Sequence, residues 1–177
     1  MSAFLPVFGP PKRLGLVLVP CLLSAFMIGW LAYLPHQTIR HDEMIEYYDV
    51  DALSYEALKQ QMEDRGPRHS YGSVGLTEWS VSWNWACQVS VRTRILLPRH
   101  TDPEAMSIRQ RQNWTAFTMA LRLHERTHQH HFLQAAREIA KNRCIGADYI
   151  LRYWVAETHL FDLRTEHGRR EGLVLRF

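Results

Sequence analysis

The chain has 177 residues, 46% of them hydrophobic and 22% charged, with a formal net charge of +3. That length suits one modest domain once the apolar N-terminal segment is set aside, because roughly 140 residues are enough for a single core of ordinary size. The small positive excess is not gathered into a stripe of Lys and Arg interleaved with aromatics, so nucleic acid is not expected as a partner.

In chain order, the first thirteen residues end in Lys12-Arg13, and an uncharged, mostly apolar stretch runs from Leu14 to Leu34. That is long enough to cross a bilayer as a helix, and the flanking positive charges belong on the cytoplasmic side. We therefore expect residues 1–13 in the cytoplasm, a signal anchor over 14–34, a linker over 35–44 and a folded domain over 45–177 outside the inner membrane. A cleaved signal peptide, which would release the domain, has a shorter apolar core and an A-x-A-like site, and no such site stands near Ala32. Leu18-Val19-Pro20-Cys21 has the outline of a lipoprotein box, but the apolar run continues past it.

Ile45 to Val50 reads as a strand, and Ser54 caps a helix over about Tyr55 to Asp64 that Gly66-Pro67 ends. From Thr77 to Leu97 the odd positions are mostly apolar (Trp79, Val81, Trp83, Trp85, Cys87, Val89, Val91) and the even ones mostly polar. This is a period-2 pattern with one buried face, too long for one strand, and it reads as two antiparallel strands turning near Asn84 to Cys87. Leu97-Pro98 is read as the start of a loop. From Asp102 the chain reads as one long helix, with Asp102 as N-cap and Pro103 as first residue. A further helix is expected over about Ala147 to Arg164. The fold class is α+β: a small antiparallel sheet packed on a long helix and a C-terminal helix.

On the long helix stands His124-Glu125-Arg126-Thr127-His128, an H-E-x-x-H pentad. Histidines four apart lie on one helix face and can reach one metal ion, and the glutamate between them can serve as general base on a water that the metal activates. Trp114, Phe117, Leu121, His124, His128, Phe132, Ala135 and Ile139 follow steps of three and four, so both histidines share the core-facing stripe. Buried imidazoles need polar partners, which a shared metal supplies. A catalytic zinc usually takes a third protein ligand. His131 is about 10 Å along the axis from His124 in an unbroken helix, too far for one ion. The tail Phe161-Asp162-Leu163-Arg164-Thr165-Glu166-His167-Gly168 supplies an acid, a hydroxyl and a histidine. His167 is the favoured third ligand, with Asp162 as its orienting partner or substitute and Thr165 beside them; an ordinary Gly-capped helix end reads equally well from spacing alone. Cys87 and Cys144 form one candidate disulfide tying the sheet to the end of the long helix, against the alternative of two buried thiols.

Four segments carry a resemblance. Tyr47-Tyr48-Asp49-Val50 with Leu58, Gln61-Met62 and Arg65-Gly66-Pro67 forms the first, and Gly75-Leu76-Thr77-Glu78-Trp79-Ser80-Val81-Ser82-Trp83 the second. The third is the pentad helix, and the fourth is Phe161-Asp162 with Thr165, His167-Gly168 and Gly172. Together they resemble the family of predicted secreted or periplasmic zinc-dependent proteases known as DUF922, with Phe161 standing where that family has Tyr. The resemblance implies a Zn²⁺-dependent hydrolase acting on protein or peptide in the cell envelope. Two other readings are a binding or scaffold module with a structural or degenerate zinc site, and a zinc amidase acting on cell-wall material.

Overall fold

The computed structural model describes residues 39–67 and 73–176, which belong to one compact unit, Gln37–Phe177. The expected anchor over 14–34, the residues before it and Cys21 lie outside the described residues. Among the described residues no helix is long and apolar enough to cross a membrane.

The unit is α+β, with three strands and three helices. Strand β1 spans Arg40–Val50, helix α1 Tyr55–Arg65, strand β2 Leu76–Trp83, strand β3 Val89–His100, helix α2 Ile108–Lys141 and helix α3 Ala147–Thr165; single 3-10 turns lie at Pro103–Ala105 and Arg169–Glu171. The strand order is β1-β3-β2. β2 and β3 form the expected antiparallel hairpin, from Leu76 opposite Leu96 to Trp83 opposite Val89. β1, in contrast, runs parallel to β3, so the sheet is mixed where an antiparallel one was expected. The intervening helix and strand give the chain the long return that a parallel pairing requires.

Three local corrections have simple causes. Pro98 does not start a loop: β3 continues to His100, because β2 stops pairing at Leu96 and a residue without an N–H is tolerated where only one neighbour remains. Trp85 is not on the buried face but is 97% exposed at the tip of the β2–β3 turn, which Asn84 and Gln88 close by paired backbone and side-chain hydrogen bonds. The long helix does not begin at Asp102. Asp102 caps only the 3-10 turn; Met106 returns to extended backbone, and Ser107 then starts α2 with a reciprocal capping box to Gln110.

α2 is the spine of the unit. All eight residues of its expected stripe are buried. Trp114, Phe117 and Leu121 close one apolar cluster with Tyr48, Val50, Leu58, Met62, Ile95 and Leu97. Ala136, Ile139 and Ala140 close a second with Val89, Val91 and Ala147. Between the two clusters the helix buries a polar layer: His124, Glu125, His128 and Gln129. The disulfide Cys87–Cys144 joins the β2–β3 turn to the α2–α3 corner across 57 residues of sequence. Both cysteines lie in the left-handed region, at φ 54° and 60°, and Gly146 at φ 70° completes the corner. α3 then folds back along α2, where Trp154 Nε1 donates to Glu138 at 2.7 Å.

Candidate metal centre

Burying four polar side chains in mid-helix is costly unless each finds a partner, and the partners define the site. His124 and His128 lie one turn apart and aim their Nε2 atoms at the same point, 3.2 Å from each other. Asp162 of α3 brings Oδ1 to 3.2 Å from the His124 Nε2 and 3.0 Å from the His128 Nε2. The three atoms form a nearly equilateral triangle. A tetrahedral zinc with ligands at about 2.0–2.1 Å sets its donors roughly 3.3 Å apart, so the edges of this triangle fit one ion. Among the described residues His124, His128 and Asp162 are the group whose ligand atoms converge in this way.

The protonation pattern agrees. His124 Nδ1 is 2.9 Å from Glu171 Oε2, and a proton donated there leaves a lone pair on Nε2 for a metal. His128 Nδ1 is buried with no hydrogen-bond partner among the described residues. Burial works against a charged His124, but the carboxylates of Asp162 and Glu171 outweigh it and hold its pKa above the usual range. Asp162 is likewise resisted by burial and nonetheless held well below the ordinary carboxylate range by the two histidines. The carboxylates of Asp162 and Glu171 thus favour positive charge at His124, where the three side chains meet.

Glu125 sits beside this triangle and faces the same cavity of about 670 Å³. Burial raises its pKa, and a hydrogen bond from Thr77 partly opposes the rise. The Thr77 hydroxyl lies 2.8 Å from Glu125 Oε2 and 2.9 Å from the Glu125 backbone carbonyl. Gly75 leaves the room: a Cβ there would come to 2.8 Å from Leu121 Cδ1 and 3.0 Å from Glu125 Oε1. Trp79, two residues beyond Thr77, stacks on Phe132 with ring centroids 3.7 Å apart. The alternation of β2 showed a one-sided strand, but four residues of its motif, Gly75, Leu76, Thr77 and Trp79, also line the cavity.

The tail is built to close over His124. α3 ends at Thr165, whose hydroxyl donates to Phe161 O at 2.9 Å and accepts from Gly168 N, so Thr165 caps the helix and lies outside the ligand group. Glu166 and His167 both take φ 52° and Gly168 takes φ 82°. At Gly168 a side chain would be strained and would also meet His124 Nδ1 at 3.2 Å. Glu166 holds the turn through Arg169 and Arg170, which delivers Glu171 to His124. Phe161 stacks on the His124 ring at 5.0 Å and meets His128 edge-on at 5.2 Å, contacts that need a ring and no hydroxyl. His167 is exposed and lines the cavity, but the convergent group has Asp162 in the place expected of it. His131 pairs with Thr158 Oγ1 at 3.0 Å. Glu171 had no signal in the sequence beyond lying between the two tail glycines; Thr77 and Gly75 stood in the strand motif without an evident task.

No curated protein and no solved structure matches this chain. Residues 45–143 match the family described as "Bacterial protein of unknown function (DUF922)". The matched segment includes the pentad and Thr77, and it stops short of Asp162 and Glu171. With more than half of its length matched, the chain belongs to the DUF922 family.

Proposed function

We propose that the protein is a zinc-dependent metallopeptidase of the cell envelope, with His124, His128 and Asp162 holding the metal and Glu125 as general base. One observation carries this reading: three donor atoms at metal-site spacing share a cavity with a buried carboxylate whose pKa is raised. Zinc, when bound, supplies Lewis acidity and lowers the pKa of a water. Glu125 accepts the proton of the attacking water, which its raised pKa favours, and Thr77 keeps that carboxylate turned to the cavity. Glu171 fixes the His124 tautomer. β2 is an edge strand of the sheet and lines the cavity through Leu76, Thr77 and Trp79; an extended peptide laid along it would meet the triangle. The disulfide suits an oxidising compartment, and the uncharged stretch 14–34 suits an inner-membrane anchor with the domain in the periplasm.

The test is hydrolysis of casein and of purified peptidoglycan by wild type and by Glu125→Gln, with metal content measured alongside. We expect casein cleavage by the wild type, and a Glu125→Gln variant that keeps its metal and loses activity on the order of 100-fold or more. Cleavage of peptidoglycan alone would transfer the reading to a cell-wall amidase. Metal without hydrolysis of either substrate would leave a binding module with a structural zinc. Two histidines and one carboxylate also suit iron(II), so the metal analysis reads both elements.

A further inference from the structure

Helix α3 has two working faces. The inner one carries Thr158 and Asp162 to the cavity. The outer one carries Tyr149, Tyr153, Ala156, Leu160 and Leu163, in steps of four, three, four and three. The four large residues stay 71%, 51%, 43% and 68% exposed, and Ala156 between them is exposed as well. Alternating steps of four and three over two heptads are the spacing of a coiled-coil seam. A surface helix that faced only water would carry charged or polar residues there.

We propose that this stripe is a self-association face, on which α3 pairs in parallel with α3 of a second copy of the chain. The flanking charges select the occupant and the direction. With Tyr153 and Leu160 at a positions and Tyr149, Ala156 and Leu163 at d positions, Arg152 falls at g and Glu157 at e. In a parallel two-fold pair each g residue faces the e residue five positions further along the other chain, so Arg152 meets Glu157 of the second copy, twice by symmetry. An antiparallel pair joins g to g and e to e, and these two residues never face one another. Among the described residues Glu157 makes one ion pair, a 3.5 Å contact to Arg164, which leaves its carboxylate capacity for a second cation. The seam from Tyr149 to Leu163 is about 21 Å long at 1.5 Å per residue, so the dimer is weak and concentration-dependent. His159, at the second g position, also lines the cavity, and the second copy therefore borders the cavity mouth.

The experiment is cysteine cross-linking in the full chain carrying Cys21→Ser, with Tyr149→Cys, Ala156→Cys or Leu163→Cys introduced singly and Met119→Cys on α2 as an exposed control. The parallel seam predicts a covalent dimer from each of the three and only collisional background from the control. Sedimentation at graded concentration then reads the charges. Arg152→Glu should weaken dimerisation on the order of tenfold, and adding Glu157→Arg to it should restore the dimer. The proposal is overturned if no seam cysteine cross-links above the control. It is equally overturned if bridges form only when Tyr149→Cys chains are mixed with Leu160→Cys chains, or Tyr153→Cys with Leu163→Cys, because an antiparallel pair layers a positions against d positions. A monomer whose Ala156→Cys thiol resists alkylation would show that another segment or partner covers the stripe.

Discussion

At the scale of single residues, the site depends on which nitrogen of His124 carries its proton. Glu171 decides this by accepting at Nδ1, and it is reached only because Gly168 adopts φ 82° against the His124 ring. A carboxylate behind a ligating histidine commonly contributes 10–100-fold in metal affinity. Glu171→Gln should therefore weaken zinc binding by about that factor in a chelator competition, with secondary structure unchanged. An unaltered affinity would remove Glu171 from the site. The sequence alone could not assign this role, because nothing in spacing shows a tail doubling back on a helix 47 residues earlier in the chain.

At the scale of elements, periodicity carried the reading where one element has one buried face, and lost it where two elements meet. The α2 stripe from Trp114 to Ile139 is buried as its steps of three and four require, and the β2–β3 turn lies where the alternation was too long for one strand. The parallel pairing of β1 and the continuation of β3 through Pro98 were not legible, since each depends on neighbours supplied by another part of the chain; the break at Met106 had a local signal, the Ser107 to Gln110 capping box, which Asp102-Pro103 masked. Spacing favoured His167 over Asp162 for the same reason: both lie near the end of α3, and only the packing of α3 on α2 brings the Asp162 carboxylate to the two histidines. The motif strand β2 reaches Glu125 through one hydroxyl, that of Thr77. Thr77→Val keeps the shape and removes the donor. We expect a loss of activity of about 10–100-fold with zinc content unchanged; a fall in zinc content instead would make Thr77 a support of the ligands.

For the whole molecule, the polar layer of α2 splits the core into two apolar clusters, and the disulfide braces the cluster farther from the N-terminus of α2. Cross-linking across 57 residues restricts the unfolded chain by about 4 kcal/mol in the chain-entropy account. Replacing both cysteines by serine should lower the denaturation midpoint accordingly while zinc binding persists, since neither cysteine touches the triangle. The proposed centre holds one metal among His124, His128 and Asp162, and elemental analysis of the purified protein reads it out without any assumption about substrate. One zinc per chain is expected in the wild type and in His167→Ala, and almost none in Asp162→Ala. Zinc retained in Asp162→Ala and lost in His167→Ala would contradict this centre and place the third ligand on the tail histidine.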